Sequence, residues 1–148
     1  MAKVHSWFRS GISTFGDTIM RTVLAILIAT VWISIHEFVR NQLVLADHWA
    51  DHYTGLGLTF PSEPVNGAVW GIWALVLAIA IHFLARKGGL LETAAIAWTM
   101  GFVLMWLVIG NMSVLPFSIL PVAVPWSMVE VLGAVYIIRK LRTGVASG

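Results

Sequence analysis

Long apolar runs separated by short polar segments dominate the pattern along this chain of 148 residues. These runs predict four spans, at residues 18–45, 67–85, 91–110 and 117–141. A helix needs about 20 apolar residues to cross the roughly 30 Å of hydrocarbon in a bilayer, and each run approaches or exceeds that length. The few residues between the second and third spans cannot return the chain across a bilayer, so these spans form a tight helical hairpin. The predicted fold is an all-α integral membrane protein, a four-transmembrane-helix bundle over residues 18–142.

The two ends of the chain differ from the spans. Residues 1–17 carry apolar side chains at helical spacing, at Val4, Trp7, Phe8, Ile12 and Phe15. This pattern predicts an N-terminal amphipathic helix that lies in the membrane interface. Residues 143–148 are small or polar, and we expect them to form a flexible C-terminal tail.

The fourth span allows two interpretations because prolines interrupt it, at Pro116, Pro121 and Pro125. It is either one kinked helix over 117–138 or a helix over 126–141 that follows Pro125. In the second case residues 111–124 fold back at the interface. Proline disrupts a helix interior but is well tolerated in the first turn, so we favour the second interpretation.

The composition agrees with a membrane protein. Hydrophobic residues make up 59% of the chain and charged residues 11%, with a mean hydropathy of +0.87. Soluble domains are nearer to about half apolar and a quarter charged, so this chain has too little polar surface for a water-soluble globule. It has no cysteine, which excludes disulfides, thiolate metal sites, iron–sulfur clusters and covalent c-type haem.

The basic residues predict the topology. Those outside the spans or at their ends fall in three clusters that share one side of the membrane: Lys3, Arg9 and Arg21; Arg86 and Lys87; Arg139, Lys140 and Arg142. The positive-inside rule makes this side cytoplasmic, together with both termini. The loop 46–66 has three acidic residues and no Lys or Arg, so it faces outward. We expect a bacterial inner membrane as the location and no nucleic-acid partner, because topology accounts for the basic charge.

Ionisable residues inside the spans are the first candidates for function, because charge is costly in hydrocarbon. Four polar side chains should share the outer part of the bundle: His36, Glu37, Arg40 and Asn111. Glu37 and Arg40 are spaced to pair along one helix, either as a self-neutralising pair or as part of a pocket that binds a cation or proton. Glu130 has no basic residue within a helical turn. It therefore needs a partner from another span, for which Arg40, His36 and Asn111 are candidates.

Two further pairs have structural interpretations. His82 and Glu92 lie on adjoining arms of the predicted hairpin, where we expect a hydrogen bond between helices. Gly67 and Gly71 form a GxxxG pattern, which lets helices approach closely. We favour packing within the bundle over a homodimer face for this pair.

A repeat in the outer loop suggests a metal site: Asp47, His48, Asp51 and His52. Two imidazoles one helical turn apart can chelate Zn²⁺ or Cu²⁺, with a carboxylate completing the site. Such a pair is common by chance, and the favoured interpretation is a solvated turn that Trp49 and Tyr53 anchor at the interface.

No sequence motif identifies a catalytic activity. The chain has no Walker loop, no GxSxG, no GxGxxG and no HExxH. We favour a bundle that binds or passes a small solute, ion or proton, as an oligomer in the lipid bilayer. The alternative is a non-catalytic subunit or ligand-binding module of a larger membrane complex. A lipid-phase enzyme that uses His36, Glu37 and Arg40 for acid–base chemistry ranks third.

Overall fold

The computed structural model describes residues 2–143, with side chains from residue 16 to residue 142, and this part of the chain contains helices and no strand. The elements are α1 (Ala2–Phe38) with a π-helical extension (Val39–Val44), α2 (Ala46–Gly55), α3 (Pro64–Leu84), α4 (Leu90–Trp98) with a π-helical segment (Thr99–Val103), α5 (Leu104–Asn111), a 3₁₀ turn (Phe117–Ile119) and α6 (Leu120–Thr143). The two π-helical segments lie inside the first and third spans.

Four helical segments are long and apolar enough to cross a membrane: Gly16–Val44, Pro64–Leu84, Leu90–Asn111 and Phe117–Arg142. The all-helical, four-span prediction is supported to this extent. The second span begins at Pro64, earlier than predicted, because proline is well suited to the first turn of a helix. Large apolar side chains such as Val69 and Leu107 remain exposed on the outside of the bundle, which is the surface that lipid would cover.

The first helix is continuous from Ala2 to Phe38, so residues 2–17 and the first span belong to one helix. The side chains that would form the predicted amphipathic face precede residue 16 and lie outside the described side chains. That face therefore stays a prediction. Residues 144–148 of the predicted tail also lie outside the described residues.

The fourth span differs from the interpretation that the sequence favoured. Its helix begins at Leu120 and includes Pro125, so the expectation of a helix that starts at Pro125 is wrong. Pro121 is the proline that occupies the first turn. The amide that Pro125 lacks would have bonded to the carbonyl of Pro121, so the missing bond is one of the first in the helix.

Small side chains set the spacing between the spans. Ala29 of α1, Ala74 and Ala78 of α3, and Ala134 of α6 are fully buried in the central core. Helices approach closely where such residues meet, since there is no bulky side chain to separate their backbones. The core therefore forms where α1 packs against α3 and α6.

The GxxxG pair does not take part in this packing. A Cβ atom built on Gly67 or on Gly71 would meet nothing within 4 Å. The expectation that these glycines pack inside the bundle is wrong: they share a face of α3 with the buried Ala74 and Ala78, but they lie at the end of the helix where no described neighbour covers that face. The contact between helices begins one turn later, at Ala74.

A second, smaller core joins the C-terminal end of the first span to the start of the fourth. It is formed by Leu45, Leu115, Ile119 and Ala123. The short helix α2 lies at this end of the bundle. Its Trp49 ring stacks on Phe60, with centroids 5.9 Å apart, and its Tyr53 ring meets Phe60 edge to face, with centroids 5.3 Å apart. This packing holds α2 beside the C-terminal end of the first span.

Candidate functional site

Three ionisable side chains meet inside the bundle. Glu37, Arg40 and Glu130 are all buried, and Glu130 is 0% exposed. Arg40 donates from Nη1 to Glu130 Oε2 at 2.7 Å and from Nη2 to Glu37 Oε1. One guanidinium therefore joins two carboxylates that come from different spans, and we call these three residues the ion cluster.

The local helix geometry brings the cluster together. Glu37 lies in the last turn of α1 and Arg40 in the π-helical extension, so the two side chains pair along one helix. Glu130 reaches them from α6, which packs along α1. Phe102 lies in the π-helical segment of the third span, and the Arg40 guanidinium lies over its ring, 5.3 Å from the ring centroid. Both π-helical segments thus contribute a residue at the cluster, and such segments are frequent at functional sites.

Asn41 connects the cluster to α2. Its Nδ2 donates to Glu37 Oε2 at 2.8 Å, and its Oδ1 accepts a hydrogen bond from Trp49 Nε1 at 3.1 Å. The two oxygens of Glu37 are therefore occupied, one by Arg40 and one by Asn41. A displacement of α2 would be transmitted to Glu37 through this chain of hydrogen bonds.

The cluster has one carboxylate more than it has cations. With both glutamates ionised it would carry one net negative charge, which is costly inside an apolar bundle. Glu130 Oε1 is buried and has no hydrogen-bond partner among the described residues. This oxygen is where a single added proton would neutralise the cluster without displacing Arg40.

His36 lies beside the cluster but bonds to a different partner. Trp126 Nε1 donates to His36 Nδ1 at 3.0 Å, and the Trp32 ring centroid is 4.3 Å from that of the imidazole. Trp32 Nε1 in turn donates to the backbone carbonyl of Glu130 at 2.9 Å. The bond from Trp126 requires an unprotonated Nδ1, which leaves the ring proton on Nε2.

Three predicted members of the polar sites lie elsewhere. Asn111 is exposed at the end of α5 and joins none of the cluster's hydrogen bonds. His82 and Glu92 do not pair, so that expectation is wrong. Glu92 instead accepts a hydrogen bond from the Gly89 amide at 3.3 Å, because it lies in the first turn of α4 and caps it. His82 Nδ1 is buried without a hydrogen-bond partner among the described residues.

The aspartate–histidine repeat is helical, as its spacing requires for a metal site. Asp47, His48, Asp51 and His52 line an open groove of about 760 Å³ beside Ser118. His52 Nε2 lies 3.0 Å from the Ser113 carbonyl oxygen, and this hydrogen bond occupies that nitrogen. Within the described residues no group of three His, Asp or Glu side chains could hold a metal ion. The Zn²⁺ or Cu²⁺ site stays a prediction.

The residues that support the cluster were not identified from the sequence. Asn41 follows Glu37 by one helical turn, and this spacing was a usable signal. Trp32 and Trp126 were not recognisable as hydrogen-bond donors to the site, because tryptophan is equally typical of interfaces and of packing between spans. The contact of Arg40 with Phe102 depends on how the helices pack, and no sequence pattern predicts it.

No family model matches this chain, and neither the curated proteins nor the solved structures contain a match.

Proposed function

We propose that this protein is an integral membrane protein whose ion cluster binds a proton and passes it through the helix bundle. The observation that carries this proposal is the pairing of two buried carboxylates with one guanidinium, Arg40. A proton is the smallest charge that balances this excess, and Glu130 Oε1 has an unused acceptor position for it. Protons held by intramembrane carboxylates are a common basis of proton transfer in membrane proteins.

In the proposed mechanism, Arg40 pairs with whichever carboxylate is ionised. When Glu130 holds the proton, Arg40 and Glu37 form a neutral ion pair, which Asn41 stabilises through Glu37 Oε2. When the proton leaves, Arg40 shares its charge between both carboxylates. The proton thus enters and leaves with little rearrangement of the helices, since Arg40 already contacts both partners.

The orientation of the bundle belongs to the same proposal. The hairpin that carries Arg86 and Lys87 and the end of α6 that carries Arg139 and Arg142 would face the cytoplasm of a bacterial inner membrane. The helix α2 would then face the outside, with the ion cluster in the outer part of the bundle. We also expect the chain to assemble into an oligomer. The mass of the protein in its detergent complex tests this expectation.

The test is proton flux in liposomes. The purified full chain is reconstituted around an enclosed pH-sensitive dye, and proton uptake is followed after a potassium-diffusion potential is applied. We expect Glu130→Gln and Glu37→Gln to lower the flux about tenfold or more, because general acid–base groups typically contribute factors of 10²–10⁴. Glu92→Gln and Glu63→Gln are matched controls, since both remove an exposed carboxylate outside the cluster. They should leave the flux unchanged.

The result that contradicts the proposal is a flux in the unmodified protein no greater than in empty liposomes, or equal fluxes in all five proteins. Either result favours the non-catalytic subunit, in which the ion cluster only holds α1 to α6. Thermal unfolding in detergent accompanies each variant, so that a loss of flux is compared among proteins that remain folded.

A further inference from the structure

A groove lies at the opposite end of the bundle from α2, where the hairpin joins α3 to α4. Its volume is about 780 Å³. Polar residues of the turn and of the first turn of α4 line one part of it: Arg86, Lys87, Gly88, Glu92 and Thr93. Phe83 and Ile96, which are exposed on the outside of the bundle, line the other part. The groove therefore has a charged part at the hairpin and an apolar part along the spans.

Thr93 presents an unexplained polar group to this groove. The residue is 1% exposed, and its hydroxyl has no hydrogen-bond partner among the described residues. A buried polar group without a partner costs about 1–3 kcal/mol, so native proteins rarely leave one unused. A Cβ atom on Gly88 would come within 2.9 Å of Thr93 Oγ1. The hydroxyl thus lies directly beside the position that a side chain at Gly88 would occupy, and Glu92 Oε2 lies 3.3 Å from the same position.

The surroundings of the hydroxyl favour an anion. Arg86 and Lys87 are exposed at the groove, and α4 begins here with its N-terminus, which carries partial positive charge. The α6 helix adds two guanidinium groups to the same turn. Arg139 Nη1 donates to the Gly88 carbonyl at 2.5 Å, and Arg142 Nη2 donates to the Ala85 carbonyl at 3.1 Å.

Glu92 is the one acidic residue among those that line the groove, and it is engaged with the Gly89 amide. Its single negative charge is outweighed by Arg86 and Lys87 at the groove itself. The groove is therefore suited to a ligand that combines a negative charge with an apolar portion. A free phosphate ion would use the charged part alone and leave Phe83 and Ile96 exposed.

We propose that this groove binds an anionic phospholipid. Its phosphodiester would lie against Arg86 and Lys87 and accept a hydrogen bond from the Thr93 hydroxyl, and an acyl chain would lie along Phe83 and Ile96. This site is separate from the ion cluster and does not depend on proton transfer there. It would hold the hairpin at the headgroup level of the leaflet that faces it.

The test is lipid binding by native mass spectrometry of the full chain in detergent, with phosphatidylglycerol or phosphatidylcholine added. We expect clear preference for phosphatidylglycerol in the unmodified protein. Thr93→Val removes the hydroxyl with little change of shape and should weaken phosphatidylglycerol binding about tenfold, the equivalent of one hydrogen bond to a charged group. Gly88→Ala keeps the hydroxyl but fills the space before it, and should weaken binding as well.

The thermal midpoint without added lipid separates ligand binding from a structural role for Thr93. A structural role predicts a lower midpoint in Thr93→Val. The proposal predicts that the midpoint stays the same or rises, because the substitution replaces an unpartnered hydroxyl by a methyl group. Arg21→Gln is the matched control for charge, because it removes a basic residue outside the groove, and it should bind phosphatidylglycerol as the unmodified protein does.

Three results would overturn the proposal: equal binding of the two lipids, unchanged phosphatidylglycerol binding in both Thr93→Val and Gly88→Ala, or equal weakening in Arg21→Gln. A further arm adds inorganic phosphate alone. If phosphate raises the thermal midpoint of the unmodified protein as much as phosphatidylglycerol does, the ligand is a free phosphate and the lipid assignment is wrong.

Discussion

Arg40 and Glu130 are 90 positions apart in the sequence, yet Arg40 Nη1 lies 2.7 Å from Glu130 Oε2 in the interior of the bundle. This ion pair joins the first span to the last. The same guanidinium also bonds to Glu37, so one cation serves two buried carboxylates. The consequences of removing one member of the cluster therefore differ from one residue to another.

The removal of Arg40 should be far more damaging than the removal of Glu130. Arg40→Gln leaves two buried carboxylates without a cation, and breaking a buried ion pair in this way costs about 3–5 kcal/mol. Glu130→Gln instead leaves Arg40 and Glu37 as a neutral pair, so its cost should be much smaller. The measurement is the free energy of unfolding in mixed micelles at increasing SDS fraction.

A double variant provides the control for charge. Glu130→Gln introduced together with Arg40→Gln removes one of the two unpaired carboxylates and should recover part of the lost stability. The charge-balance account fails if Glu130→Gln alone is as destabilising as Arg40→Gln, or if the double variant is no more stable than Arg40→Gln.

A close approach of α1 and α6 makes Gly133 sensitive to substitution. A Cβ atom at Gly133 would come within 2.7 Å of three atoms of the Trp32 indole. Gly133→Ala must therefore displace the ring and break its hydrogen bond to the Glu130 carbonyl. We expect a loss of about 1–3 kcal/mol, as is typical of overpacking, although alanine is the better helix former.

Gly71→Ala is the matched control for this prediction, because its added Cβ meets nothing within 4 Å. It should leave stability unchanged or raise it slightly through helix propensity. Both variants are compared by thermal unfolding in the same detergent. Equal midpoints for the two would show that Trp32 does not constrain Gly133.

Much of the fold could be predicted because a chain that crosses a membrane obeys a simple rule, and the four apolar runs have the length that this rule requires. Every backbone polar group in hydrocarbon must be bonded within its own segment, so apolar runs of sufficient length are helices. The fourth span was harder to predict, since a proline is compatible both with a helix start and with a position one turn later. Pro121 and Pro125 are spaced by one turn, and the sequence does not show which of them occupies the first turn.

The site was predictable only in part. Because an unpaired charge inside an apolar span is costly, Glu37, Arg40 and Glu130 were expected to need partners. The structure brings these three residues together. The pairing of His82 with Glu92 was wrong because depth alone does not fix the direction of a side chain around a helix. Gly67 and Gly71 were misplaced for a different reason: their spacing identifies the packing face that Ala74 and Ala78 share, but it does not say how far along α3 the neighbouring helices cover that face.

Ser127 supports the packing of the third span on the fourth. It is fully buried, accepts a hydrogen bond from Trp98 Nε1 at 2.9 Å and donates to the Val124 carbonyl at 3.0 Å. Ser127→Ala leaves the indole N–H without this acceptor, so we expect a loss of about 1–3 kcal/mol of stability. Unfolding in detergent measures it.

A double-mutant cycle separates this hydrogen bond from simple packing. Trp98→Phe removes the donor, and Ser127→Ala should then cost less than it does in the presence of Trp98. Strict additivity of the two substitutions would mean that the two side chains do not interact, contrary to the prediction.

The α6 helix should hold the hairpin turn in place through its last arginines. Arg139 donates to the Gly88 carbonyl and Arg142 to the Ala85 carbonyl, so both ends of the turn are bonded to one helix. Arg139→Gln should loosen the turn, because a hydrogen bond from a charged donor is stronger than one from a neutral amide. Faster amide hydrogen exchange at residues 86–89, measured by mass spectrometry in detergent, is the expected result.

Lys140→Gln is the control for this last prediction, since it removes the same charge from the neighbouring position. The Lys140 ammonium lies over the Tyr136 ring, 5.5 Å from its centroid, on the exposed face of α6. Exchange at 86–89 should therefore be slower in Lys140→Gln than in Arg139→Gln. If the two variants exchange at the same rate, the turn responds to the total positive charge at this end of the bundle, and the specific bond from Arg139 to Gly88 does not hold it.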